Sequence, residues 1–127
     1  MINKLRNIAN PFVVAIIDDE VDTCLLLGMF LKRYGIETTV AHSLSDGFDI
    51  CEEKHPNLIF LDNNLPDGFG IENISKLQKN NKKASIVMIS AMSNLKTIAI
   101  ENGASQFVDK PLTPDKLQQL INLIRGE

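Results

Sequence analysis

Leu58-Ile59-Phe60-Leu61-Asp62, followed at once by Asn63-Asn64-Leu65-Pro66-Asp67-Gly68-Phe69-Gly70, is the stretch on which the reading of the fold turns. Its first four residues are apolar without polar alternation, and an acid closes them. Two other runs share this character, Val13-Val14-Ala15-Ile16-Ile17 and Ile86-Val87-Met88-Ile89. Short, continuous apolar runs rich in β-branched residues suit strands covered on both faces, as in a parallel sheet. Glu37–Ala41 and Gln106–Asp109 are more polar and are expected to be strands nearer the sheet edges.

Helical spacing fills the intervals. From Val21 to Tyr34 the apolar stripe is read as Thr23, Leu26, Leu27, Phe30, Leu31 and Tyr34, with Gly35 as the stop. Ser43 is expected to cap a helix carrying Leu44, Phe48 and Cys51. Ile71, Ile74 and Leu77 mark a third helix. Ser93 is expected to cap a short fourth one with Leu95, Ile98 and Ala99 inward, ended by Gly103. Thr113-Pro114 opens a fifth, with Leu117, Leu120, Ile121 and Ile124 on one face. The βα unit therefore recurs five times, which predicts a doubly wound α/β fold with helices on both faces of a parallel sheet. In such folds the site lies beyond the carboxyl ends of the strands. That rule singles out Asp18-Asp19, Asp62, Ser90 and Lys110.

A chain of 127 residues with 44% apolar and 23% charged residues is one ordinary globular domain. Its first ten or so residues are polar and read as an N-terminal extension (1–11) ahead of a domain spanning 12–127. Cys24 and Cys51 fit no disulfide framework or metal spacing and read as buried or half-buried thiols. The opening MINKLRNIANP lacks the apolar core of a secretory signal, and no run approaches the ~20 residues of a membrane span, so a cytoplasmic setting is expected. A net charge of −3 argues against gripping nucleic acid or an anionic membrane through bulk electrostatics. Asp18, Asp19 and Asp62 by themselves amount to that charge, so the acidity is local.

If the first and third strands are neighbours, three carboxylates meet at one rim. Like charges at that distance are costly without a cation. A hard divalent ion suits such oxygens, and Mg²⁺ prefers few carboxylates, several waters and a phosphate oxygen. Lys110 adds a fixed cation and Ser90 a hydroxyl. Carboxylate nucleophile, metal, ammonium and hydroxyl are the parts that hold a phosphoryl group in transfer. Each residue also has a plain structural reading: Asp19 or Glu20 as a helix cap, Asp67-Gly68 as a turn.

The segments "IIDDE", "LIFLDNNLPDGFG", "VMISAMS" and "GASQFVDKPL", in this order and spacing, resemble the receiver domain of two-component response regulators from about Phe12 to Ile124. The resemblance implies a flavodoxin-like sheet of strand order 2-1-3-4-5 and a signalling domain that catalyses only its own phosphorylation and dephosphorylation. It implies that Asp62 accepts a phosphoryl group from a phosphohistidine on a sensor histidine kinase or histidine phosphotransfer protein. Asp18, Asp19, Asp62 and the backbone carbonyl of Asn64 would bind Mg²⁺ (or Mn²⁺), and Ser90 and Lys110 would contact the phosphoryl group. Ser90 and Phe107 would form the switch, Asn64 and Met92 would tune hydrolysis, and Lys110-Pro111 would be a cis peptide.

The same resemblance implies that the face of the fourth helix, fifth strand and fifth helix signals to a target or effector domain, or pairs two copies. Leu25 and Met29 lie off the core stripe of the first helix, where receivers commonly dock their phosphodonor; alternatively they widen that stripe. With only Arg125-Gly126-Glu127 after Ile124, the chain reads as a stand-alone receiver or as one cut from a longer, even DNA-binding, regulator. A phosphatase of the haloacid-dehalogenase type would need an acid at position 64, where Asn64 stands. A binding module using the fold alone would leave the set of groups idle.

Overall fold

In the computed structural model, which describes residues 12–125, five parallel strands form one sheet. They are β1 (Val14–Ile17), β2 (Thr38–Ala41), β3 (Leu58–Asp62), β4 (Ser85–Ser90) and β5 (Gln106–Asp109), in the order β2-β1-β3-β4-β5. Five α-helices follow the strands in turn: α1 (Val21–Lys32), α2 (Leu44–Lys54), α3 (Ile74–Asn80), α4 (Lys96–Glu101) and α5 (Pro114–Arg125). The doubly wound fold and its strand order agree with the sequence reading, and the two more polar strands lie at the edges. The N-terminal extension read over residues 1–11 lies outside the described residues.

The three central strands are apolar throughout because each face has its own cover. Val14, Ile16, Leu58, Phe60, Val87 and Ile89 pack with Leu27 and Leu31 of α1 and Leu117, Leu120 and Ile121 of α5. The alternate residues Ala15, Ile17, Ile59, Leu61, Ile86 and Met88 pack with α2, α3 and α4. Gly47 brings α2 hard onto β1: a Cβ there would fall 2.7 Å from Cδ1 of Ile17, which is fully buried.

Local signals set most of the ends. Ser43 Oγ accepts from Asp46 N at 3.1 Å, and Thr113 Oγ1 accepts from Lys116 N at 3.3 Å. Gly35, at φ +75°, ends the first helical segment in the left-handed region that glycine enters without strain. Lys110-Pro111 is cis.

Two helices differ from their expected faces. α1 buries Cys24, Leu27 and Leu31 and leaves Leu26 42% exposed. The sheet meets the side of the helix centred on those three positions. Leu26, one residue before Leu27, is turned about 100° away from it. The fourth helix begins with a 3₁₀ turn at Ser93–Leu95, and Ser93 does not cap it. α4 itself has six residues and buries only Ala99, while Ile98 is exposed. So short a helix presents a single inward position to the sheet.

Register places the functional edge. Ile17 pairs with Leu61, so Asp18 and Asp62 leave adjacent strands at one level. Asp62 pairs with Ile89, and Ser90 with Asp109, which brings Ser90 and Lys110 to the same rim. Beyond β3 the chain forms a small antiparallel ribbon, Asn64–Leu65 against Gly68–Phe69, turned by Pro66-Asp67.

Candidate functional site

Asp18 follows the last residue of β1 and is fully buried, with nearly every polar group engaged. Its N–H donates to the Ala41 carbonyl at 3.0 Å. Its own carbonyl accepts from Cys24 Sγ at 3.3 Å and is paired with His42 Nδ1 at 2.9 Å. Oδ1 accepts from Glu20 N at 2.8 Å. Oδ2 receives no directed hydrogen bond, and Lys110 Nζ stands 3.1 Å from it.

Asp62 closes β3 and is also buried. Its Oδ1 accepts from Asn63 N at 2.8 Å, and its Oδ2 lies 3.5 Å from Lys110 Nζ. Lys110 pairs with Glu20 as well. The lysine is held from both sides: its N–H donates to the Ser90 carbonyl at 3.0 Å, while Lys116 Nζ bonds the Asp109 and Pro111 carbonyls at 2.8 and 3.1 Å. Ser90 is buried, and its Oγ accepts from Met92 N at 3.0 Å, which leaves the hydroxyl proton to donate elsewhere.

Among the described residues, Asp18, Glu20 and Asp62 bring carboxylate oxygens within 4.8 Å of one another. Glu20 therefore joins the group, while Asp19 is exposed and stands outside it. Asn64 is exposed in the ribbon, Met92 is 44% exposed, and Phe107 is half-buried against the core beneath α4. Leu25 and Met29 point outward from α1, 58% and 69% exposed, which removes the reading that they widen the core stripe.

Several supporting residues carried no role in the sequence reading. Buried Asn63 ties the loop after β3: its carbonyl accepts from Gly70 N at 2.8 Å and its Oδ1 from Ile71 N at 3.0 Å. Gly70 sits so close that a Cβ would lie 2.1 Å from the Asp62 carbonyl oxygen. The Asp-Gly signal had marked only the turn. Asp67 also reaches the start of α2, accepting from Leu44 N and Ser45 N at 2.8 and 2.9 Å, and these bonds hold its carboxyl below the usual range.

Burial, then the Asp18 charge, push the Asp62 carboxyl up to about 6, against the pull of Lys110 and the Asn63 N–H. For Lys110, burial opposes the charge, but the bond to Glu20 and the close carboxylates of Asp18 and Asp62 outweigh it and raise its pKa. Burial, reinforced by Asp18, takes the Cys24 thiol up to about 11, and burial takes Cys51 there too. Both are unreactive thiols at neutral pH.

The donor set fits a small hard cation. All three acids offer oxygen, and Asp18 Oδ2 is a buried carboxylate oxygen with no directed donor.

Residues 14–122 match the response regulator receiver domain family, and the chain belongs to it. It is 30% identical over 125 residues to a probable chemotaxis protein CheY of Rhizobium etli, covering 94% of this chain and 97% of that one. It is also 30% identical over 108 residues to the response regulator protein PilR of Pseudomonas aeruginosa, but there it covers 84% of this chain and only 24% of the relative. Among solved structures, the receiver domain of NtrX from Brucella abortus superposes with a TM-score of 0.80 at 28% identity, over 89% of this chain and 98% of that one. Among the described residues, no helix is long and apolar enough to cross a membrane.

The raised Asp62 pKa sets a pH dependence. Between its ordinary 3.8 and about 6, the folded protein retains a proton that the unfolded chain has released. Stability therefore falls as pH rises through that window, and the loss is complete above it. Asp62→Asn, which stays neutral, is expected to raise metal-free stability at pH 7.5 by about 1–3 kcal/mol in urea unfolding. The gain should shrink toward zero below pH 4. An equal gain at both pH values would assign the effect to packing instead.

Proposed function

We propose that Asp62 is the phosphoacceptor of this receiver and takes its phosphoryl group from a phosphohistidine on a sensor histidine kinase or phosphotransfer protein. The observation that carries this reading is the buried Asp62 carboxylate, fixed through Oδ1 by the Asn63 N–H and faced on Oδ2 by Lys110 at 3.5 Å. The carboxylate forms the new O–P bond as the donor's P–N bond breaks and the histidine leaves. Lys110, already poised among three acids, neutralises charge on the equatorial phosphoryl oxygens. The Ser90 hydroxyl, with its proton unspent, donates to one of them. Asp18, Asp62 and the Asn64 carbonyl would hold Mg²⁺ or Mn²⁺, with Asp19 or Glu20 completing the acidic set. The bound cation supplies charge neutralisation on the transferring group.

The added charge of roughly −1.5 to −2 draws Ser90 inward and opens space for Phe107, which repacks the face of α4, β5 and α5. That face then meets a target or effector, or a second copy of the chain. Residues 12–127 act as the receiver module, either alone or as part of a longer regulator. Its setting is the cytoplasm, where kinase and nucleotide are available. It acts as a signalling domain rather than an enzyme on an external substrate, and its output reaches nucleic acid or membrane only through partners.

Incubation with acetyl phosphate and Mg²⁺ tests the core of this reading. Intact-mass measurement should show one added phosphoryl group, lost on adding a chelator beforehand and absent in Asp62→Ala. Modification that survives in Asp62→Ala, or turnover of an added phosphoester, would reject it.

Met92 offers the phosphoryl group no side chain that can orient water. Met92→Glu is expected to hydrolyse its aspartyl phosphate several-fold faster, as followed by loss of the added mass with time. A rate equal to or below wild type would remove Met92 from hydrolysis.

Leu25 and Met29, exposed on one side of α1, form an apolar landing surface for the phosphodonor. Leu25→Glu with Met29→Glu should slow transfer from a phosphorylated histidine protein about tenfold or more. Modification by acetyl phosphate should be unchanged. Equal slowing with both donors would place the effect in the site.

A further inference from the structure

Asp18 serves a cation best if its carboxylate is held still, and its bonds to the Ala41 carbonyl and the Glu20 N–H are joined by two side-chain contacts, from His42 and Cys24. His42, the residue after β2, is exposed between buried Ala41 and half-buried Ser43, and its Nδ1 lies 2.9 Å from the Asp18 carbonyl oxygen. A carbonyl oxygen can only accept, so Nδ1 carries the proton and donates. Cys24 Sγ donates to the same oxygen at 3.3 Å from α1. The carbonyl thus has two donors converging on it from two different elements.

We infer that His42 is a positioning residue for the site, clamping the Asp18 peptide from β2 and thereby fixing where Asp18 Oδ2 points. The inference rests on the proposed role of Asp18 in holding the cation. With the N–H on Ala41, the carbonyl on His42 and Cys24, and Oδ1 on Glu20 N, Oδ2 is the one oxygen of Asp18 left without a directed donor. Loss of the His42 clamp leaves the carbonyl to the Cys24 thiol alone, a weak donor, and loosens the peptide plane from which the carboxylate projects. His42 is itself exposed and contributes little to the core, so its effect on the site is separable from its effect on stability.

The experiment uses Mg²⁺ alone as the probe, with the full 127-residue chain. Calorimetric titration compares wild type, His42→Ala, His42→Asn and His42→Gln. Asparagine can place an amide N–H where the histidine Nδ1–H stands, whereas glutamine carries its amide one carbon further out. His42→Ala should weaken Mg²⁺ binding up to about tenfold, the lower end of the range for residues that orient metal ligands. It should slow phosphoryl uptake from acetyl phosphate at subsaturating but not at saturating Mg²⁺. His42→Asn should recover binding to within about twofold of wild type and His42→Gln should not. Thermal unfolding midpoints should agree among all four proteins.

Wild-type affinity in His42→Ala, or the same loss in the asparagine and glutamine variants, overturns the positioning role. A wild type that neither binds Mg²⁺ nor gains mass from acetyl phosphate overturns the receiver reading and this inference with it. A wild type that does both, beside an indifferent His42→Ala, overturns this inference alone.

Discussion

Two carboxylates, Asp18 and Asp62, are buried at the ends of adjacent parallel strands with one lysine between them. Bringing them together costs desolvation and like-charge repulsion, and Lys110 offsets the cost only in part, since the Asp62 carboxyl still sits near 6. That residual repulsion is what further positive charge at the rim would relieve. Much of the surrounding structure keeps these groups from relaxing away from one another. The Asp18 peptide is bonded at both ends, Asn63 ties the loop after β3, and Gly70 lies against the Asp62 carbonyl where no side chain would fit.

The restraint is uneven, and the unevenness has a direction. On the β1 and β3 side, apolar strands run under two full helices, with α2 pressed onto Ile17 at the glycine of position 47. On the β4 and β5 side, α4 is six residues long, lacks a side-chain cap and buries only Ala99. Phe107 is half-buried beside it, and Ser90 meets Asp109 across the strand pair. Elements with few buried contacts reorganise at the least cost. The Asp62 rim therefore has tightly packed support behind it and a less tightly held face to one side, the arrangement that the proposed switch would use.

Much of this was legible in residue order. Apolar runs without alternation are strands with two covered faces, and the capping Ser43 and the Thr113-Pro114 pair mark helix starts through their own chemistry. Gly35 was legible for the same reason, because its role rests on a backbone preference carried by one residue, whereas the cis Lys110-Pro111 followed only from the family resemblance. What failed to read correctly depended on orientation. Leu26 and Leu27 are equally apolar, and only the line along which α1 meets the sheet decides that one is buried and the other is not. Ile98 was expected inward because its spacing is helical, yet α4 is too short to use more than one position. Asp67 read as a turn residue and is one, but it also caps α2, a helix that begins 23 residues earlier in the chain.

The sequence by itself determined the strands, their parallel stacking and the identity of the groups delivered to one edge: Asp18, Asp62, Ser90 and Lys110. These follow from local pattern and from the handedness of βα units, which a linear chain already carries. Tertiary structure alone decided how those groups are held: that Glu20 rather than Asp19 joins Asp18 and Asp62, that Lys110 stands among all three, and that His42 and Cys24 fasten the Asp18 carbonyl. Side-chain direction at a loop, and contacts across 24 positions (Asp18 with His42) or 90 (Glu20 with Lys110), are set by packing of whole elements, and no local spacing encodes them.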